Sequence, residues 1–171
     1  MSEQKIKNDI DKIREKATSF IQEVERLYRN SSYKLIRSGG ENTIYFLKIL
    51  PNFAWDIYSD KEQSYVYKII ASIYSYNPCC RNIKKSFGDS CAEYKRIAST
   101  SFEDEFFRII KCPDRRSIFE SKFLSKITKL LSKENIKIDY IELFVDLWFW
   151  GDKIGEKWFR DFVGAKEKNN D

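Results

Sequence analysis

From Ile6 to Leu27, apolar side chains recur every three or four positions: Ile6, Ile10, Ile13, Ala17, Phe20, Val24 and Leu27, with Lys, Glu and Asp between them. That spacing gathers side chains onto one face of an α-helix and predicts a single amphipathic helix over residues 3–29. Val66, Ile69, Ile70 and Ile73 share a side in the same way, in a helix that Asp60 would cap and that runs through Ser75. The stretch 30–42 (NSSYKLIRSGGEN) is a break, and the apolar run 43–50 stops at Pro51. Six Gly and three Pro in 171 residues are too few for a turn-rich sandwich or barrel.

The second half of the chain continues the pattern. Residues 77–90 read as a long basic loop, the seam between two lobes, and a helix follows over Asp89–Ala98. Ser101 with Asp104 fits a capping box for a helix over Phe102–Lys111, which Pro113 closes. Glu103, Asp104 and Glu105 then read as the acidic first turn that the helix dipole favours. A longer helix is expected from Asp114 to Lys133, then a pair over Asp139–Trp150 and Asp152–Gly164 hinged at Gly151. The aromatic set Trp148, Phe149, Trp150, Trp158, Phe159 and Phe162 falls at helical spacings and reads as the core of that hairpin, the alternative being a base-stacking platform. The expectation is all-α: two small helical-bundle lobes (1–80 and 81–164, the second holding the basic helix 114–133) packed as one compact unit, with a disordered tail over 165–171.

The chemistry is narrowed by absences. No histidine is present, which removes the commonest general base, the usual Ser–His and Cys–His pairs and every His-containing metal site. Cys79, Cys80, Cys91 and Cys112 contain no CxxC pair for zinc, and read as reduced, mostly buried thiols. There is no GxGxxG, GxxxxGK[ST] or GxSxG motif. The expectation is no enzyme, no metal and no cofactor. No apolar run approaches the ~18 residues of a membrane span, and the N-terminus lacks a signal peptide's apolar region, so the protein is read as soluble and cytoplasmic.

The net charge is +5, but its distribution says more. Residues 108–133 hold eight basic and two acidic groups, whereas the rest of the chain holds 23 basic and 24 acidic. The excess is therefore confined to one segment. Within it, Arg115, Lys122, Lys126, Lys129 and Lys133 step along one face of the expected helix, with Phe119, Phe123, Ile127, Leu130 and Leu131 on another, toward the core. Arg108 and Lys111 precede the row, and Lys84 with Lys85 adds charge in the basic loop. Such a stripe is either a solvated helix face or a seat for a polyanion, whose neutralised phosphates release counterions. Contacts of the second kind read backbone and shape rather than sequence. A helical adaptor whose lysines meet an acidic protein would carry the same stripe.

Residues 139–163 (DYIELFVDLWFWGDKIGEKWFRDFV) resemble the closing segment of the CasB family, the small subunit of the type I-E CRISPR complex Cascade. The matching positions are Asp139, Tyr140, Leu147, Trp150, Gly151, Lys153, Asp161 and Phe162. Weaker likenesses run upstream in order, at 27–37 (LYRNSSYKLIR), 86–92 (SFGDSCA) and 106–131, so the resemblance covers most of the chain from residue 27. It implies an all-α, non-catalytic protein in two lobes, two copies of which line up head to tail. It also implies contact with crRNA, with the displaced strand of the target DNA and with other Cascade subunits. The family's basic contacts would fall on Arg37, Lys61, Arg108, Arg115 and Lys153. Ser31, Ser38 and Asp89 depart from the family pattern and shift the expected weight to residues 108–133.

Overall fold

The computed structural model describes residues 3–29, 51–53, 61–78, 83–97 and 101–164. Among them lie eight α-helices and a short 3-10 turn at Pro51–Phe53, with no strand. The helices are α1 (Glu3–Leu27), α2 (Lys61–Tyr74), α3 (Phe87–Lys95), α4 (Ser101–Ile110), α5 (Arg115–Ser121), α6 (Phe123–Lys133), α7 (Tyr140–Trp148) and α8 (Asp152–Gly164). The all-α expectation is met. The break at 30–42, the apolar run 43–50, Asp60 as a cap, Cys79, Cys80 and the 165–171 tail lie outside the described residues.

Side chains start several helices by accepting from N–H groups that have no partner within the helix. Ser86 caps α3 in a capping box: its Oγ accepts from Asp89 N–H at 3.0 Å, and the Asp89 carboxylate accepts from Ser86 N–H at 3.1 Å. Asp139, almost wholly buried, does double duty. One oxygen accepts from the N–H groups of Ile141 and Glu142 at the start of α7, the other from Ile83 and Lys84 at 2.9 and 2.8 Å. The segment before α3 is thereby tied to the N-terminus of α7.

The apolar stripe of α1 behaves as its spacing predicts. Ala17, Phe20, Ile21, Val24 and Leu27 are buried, mostly against α7. Phe20 meets Tyr67 of α2 at 4.9 Å and Phe144 of α7 at 5.9 Å. α5 lies on α2, and α7 lies on both α1 and α2. Elements of 81–164 thus pack directly onto elements of 1–80, through one continuous buried core. A second set of contacts joins α8 to α3 and α4, and α4 to α6. The closest approach is α3 on α8, where Gly88 is required: a Cβ there would fall 2.4 Å from the Trp158 carbonyl oxygen. Asp146, buried on α7, accepts from Trp158 Nε1–H and from Lys157 Nζ, both at 2.7 Å, and so fixes α8 to α7.

The single helix expected over 114–133 is in fact two. Lys122 adopts φ 57°, ψ 10°, a left-handed conformation that ends α5 and begins α6. Ser121 Oγ bonds the Ile118 carbonyl at 3.0 Å, giving the backbone an alternative to continuing the helix. The left-handed residue costs about 1 kcal/mol. In return, Phe119 packs on Tyr65 at 5.7 Å and Ile127 and Leu131 reach the core, which one straight helix need not allow.

Candidate nucleic-acid interface

Beyond the break, α6 is amphipathic. Leu124, Ile127, Thr128 and Leu131 are buried, while Lys122, Lys126, Lys129 and Lys133 are exposed on the opposite side at steps of four, three and four. α4 runs alongside and adds Arg108, with Lys111 just past its end, both exposed. Arg108 and Lys126 converge on the ring of Phe123, at 5.6 and 5.3 Å from its centroid, and Lys129 lies 4.4 Å from that of Tyr76. Six cations therefore share one ridge.

Carboxylates hardly answer them. Among the described residues, Arg108, Lys111, Lys122, Lys129 and Lys133 make no ion pair, and Lys126 meets only Glu105, at 3.5 Å. The acidic first turn of α4 is otherwise directed elsewhere, Glu103 pairing with Lys95 at 2.9 Å. Exposed pairs such as Lys126–Glu105 are worth under about 1 kcal/mol and yield readily to a stronger anion.

Arg115 does not stand with the lysines. The change of direction at Lys122 leaves it on α5, facing the end of α7, with its side chain only 17% exposed. Its Nε–H donates to the Leu147 carbonyl at 2.8 Å, and a second guanidinium nitrogen donates to that of Trp148. A cation on the last carbonyls of a helix complements both the unsatisfied acceptors and the dipole. Arg115 holds the fold, and the expected five-residue row is a row of four.

The other expected residues are scattered. Lys84 and Lys85 line a groove of about 440 Å³ together with Arg14, Ser86, Asp89, Glu142, Lys157 and Asp161. There Arg14 pairs with Glu142, Lys85 with Glu93, and Lys157 with Asp146. Lys153 is exposed in the first turn of α8, whose main partners are α3 and α4. Lys61 opens α2, but its side chain, like Arg37, lies outside the described residues.

Other chemistry finds little footing in these helices. Burial pushes the Cys91 thiol well above its ordinary value and raises that of Cys112, so both favour the protonated, unreactive form. Among the described residues no three His, Cys, Asp or Glu side chains gather to hold a metal ion, and no helix is long and apolar enough to cross a membrane. Two rings stand among the ridge cations without any sign in the charge pattern: Phe123, which its spacing assigns to the core face and which is half-buried there, and Tyr76, in the turn after α2.

Comparison with known proteins adds two findings. The family model for the CRISPR-associated protein Cse2 matches residues 34–162, from which α1 is excluded. The crystal structure of M. ruber CasB superposes with a TM-score of 0.64, over 87% of this chain and 95% of that one, at 20% sequence identity. At that identity the likeness speaks for the fold. No curated protein matches.

Proposed function

Because the chain belongs to the CRISPR-associated Cse2 (CasB) family, we propose that it is the small subunit of a type I-E Cascade complex and acts there as a non-catalytic clamp on nucleic-acid backbone. It would lie beside the crRNA-bearing subunits in the cytoplasm, with a second copy head to tail. The observation that carries this reading is the ridge itself: Lys122, Lys126, Lys129 and Lys133 exposed in a row, with Arg108 and Lys111 alongside and, among the described residues, Glu105 the one carboxylate paired with any of them. Opening a target duplex against a guide is a near-balanced exchange, so a few backbone contacts are enough to tip it. Lysines suit that work, since each neutralised phosphate releases condensed counterions whatever the base. Arg115 is left out of this set, and Lys84, Lys85 and Lys153 would be peripheral contacts.

The test is the salt dependence of binding to single-stranded DNA. Affinity should fall with salt at a log–log slope of roughly −0.7 per phosphate contacted. Changing Lys122, Lys126 and Lys129 together to Glu should lower affinity by about a hundredfold or more at low salt and leave helicity intact. Binding that ignores salt, or none at low ionic strength, overturns the proposal. So does purification with an acidic protein and no RNA, which would make the chain an adaptor.

A further inference from the structure

We propose that Phe123 and Tyr76 form a base-stacking platform set into the lysine ridge, so that this face holds an unpaired strand by its bases as well as its phosphates. The inference rests on the clamp reading above and narrows its substrate to single strands. Its starting point is a difference among the half-buried aromatic side chains. Seven of the nine have another aromatic ring at 6.0 Å or less. Phe123 and Tyr76 are the two without one among the described residues, and their ring neighbours are cations: Arg108 and Lys126 for Phe123, Lys129 for Tyr76.

Phe123 rests one side on the core and Tyr76 is not among the rings packed against it; the surface each leaves uncovered stands beside flexible cations. The other half-buried aromatic side chains among the described residues each pack on another ring. On the ridge, each ring lies under cations that a phosphate would draw off, two over Phe123 and one over Tyr76. A cation–ring contact at the surface is weak, whereas a phosphate offers the same cation full charge. As Lys126, Arg108 or Lys129 turns to the strand, it clears the ring, and the base of that nucleotide can lie on the face it vacates. Every base has a π-face, so stacking of this kind is indifferent to sequence. It does distinguish strands, because a duplex keeps its bases stacked on one another and away from the ridge.

The decisive comparison uses two oligonucleotides of equal length and phosphate count, oligo-dT and an abasic strand. The full chain should bind oligo-dT more tightly by about fivefold or more per occupied ring, with the same salt slope on both. F123L and Y76L, which keep an apolar side chain in place, should lower oligo-dT affinity toward the abasic value and leave abasic binding unchanged, while F123W should preserve the difference. Equal affinity of the unmodified chain for the two strands overturns the platform and leaves the clamp standing. Salt-independent binding, or none, overturns the clamp and the platform with it. Because the first comparison needs no variant, a folding defect in F123L cannot obscure it.

Discussion

Arg14, Lys85 and Lys157 around the groove, and Lys122, Lys129 and Lys133 along α6, are the same kind of side chain in opposite electrostatic settings. Around the groove each cation faces a carboxylate: Glu142, Glu93 and Asp146 respectively. Three further acidic or capping groups, Asp89, Asp161 and Ser86, share its walls. Along α6 the lysines follow one another at helical spacing, and among the described residues none of the three has an ionic partner. Like charges on one helix face oppose its formation by a few tenths of a kcal/mol per pair. The ridge is therefore held in spite of its charge, by the burial of Leu124, Ile127 and Leu131 on the far side. Cations near the groove tie parts of the fold to one another. Those on the ridge are available to something outside.

The largest expected effect tests the groove side. Asp146 is 2% exposed and holds both Lys157 and the indole N–H of Trp158. Asp146→Ala leaves that N–H buried without an acceptor and frees the lysine, costing about 3 kcal/mol of stability. Because Lys157 is itself a third exposed, the lower end of the range for a broken buried pair applies. Urea denaturation measures it. A loss below 1 kcal/mol would mean that the pairing around the groove is incidental and that the comparison fails on that side.

Arg115→Ala comes next and asks whether membership of the ridge follows from sequence position or from geometry. Removing the guanidinium leaves the Leu147 and Trp148 carbonyls without their charged donor, worth about 2 kcal/mol. The salt slope of strand binding should not change. A slope reduced by one contact, with stability intact, would return Arg115 to the row.

That case also marks how far the sequence could be read. Helix existence followed from apolar spacing, and α1, α2, α7 and α8 stand close to where the period puts them. The start of α3 was expected at Asp89, but lies at Phe87, because Gly88 reads as loop until α8 is seen pressed against it. The break at Lys122 has no Gly or Pro to announce it. It arises because the core requires two short helices at different angles, which is tertiary information. The charge excess of 108–133 was plain, yet the fate of each cation was not. Whether Arg115 is free depends on where α7 ends, 32 residues later, and whether Lys85 is free depends on Glu93, in the last turn of α3. Phe123 was assigned inward by its spacing and does pack against the core, but it is only half-buried, and Arg108 and Lys126 stand over its ring.

A smaller effect separates the two settings directly. Lys133→Ala should change stability by no more than about 0.5 kcal/mol and reduce the magnitude of the salt slope by about 0.7. Lys85→Ala also removes one surface cation, with a comparably small effect on stability, since exposed pairs contribute little. Its salt slope should change by much less than that of Lys133→Ala, since Glu93 already pairs with Lys85. Equal reductions in the two variants would show that local neutralisation does not govern binding and that total charge alone matters.

The smallest effect concerns Asp114, a carboxylate at the foot of the ridge whose partner is backbone instead of a lysine. The Ser117 N–H donates to it at 2.7 Å, and this bond at the start of α5 holds its carboxyl below the usual carboxylate range. A folded-state value below the unfolded one contributes stability above the ordinary carboxylate range, and that contribution is lost as pH falls through the lowered value. Asp114→Asn keeps an acceptor for Ser117 but cannot titrate. The variant should therefore be slightly less stable than the unmodified chain at neutral pH, and the gap in thermal midpoint should close on acidification. A gap constant with pH would mean that the cap works as a neutral acceptor, with its charge free to screen Arg116 and the lysines beyond. A closing gap means that this charge is engaged by the helix start and not by the cations that follow it in the chain.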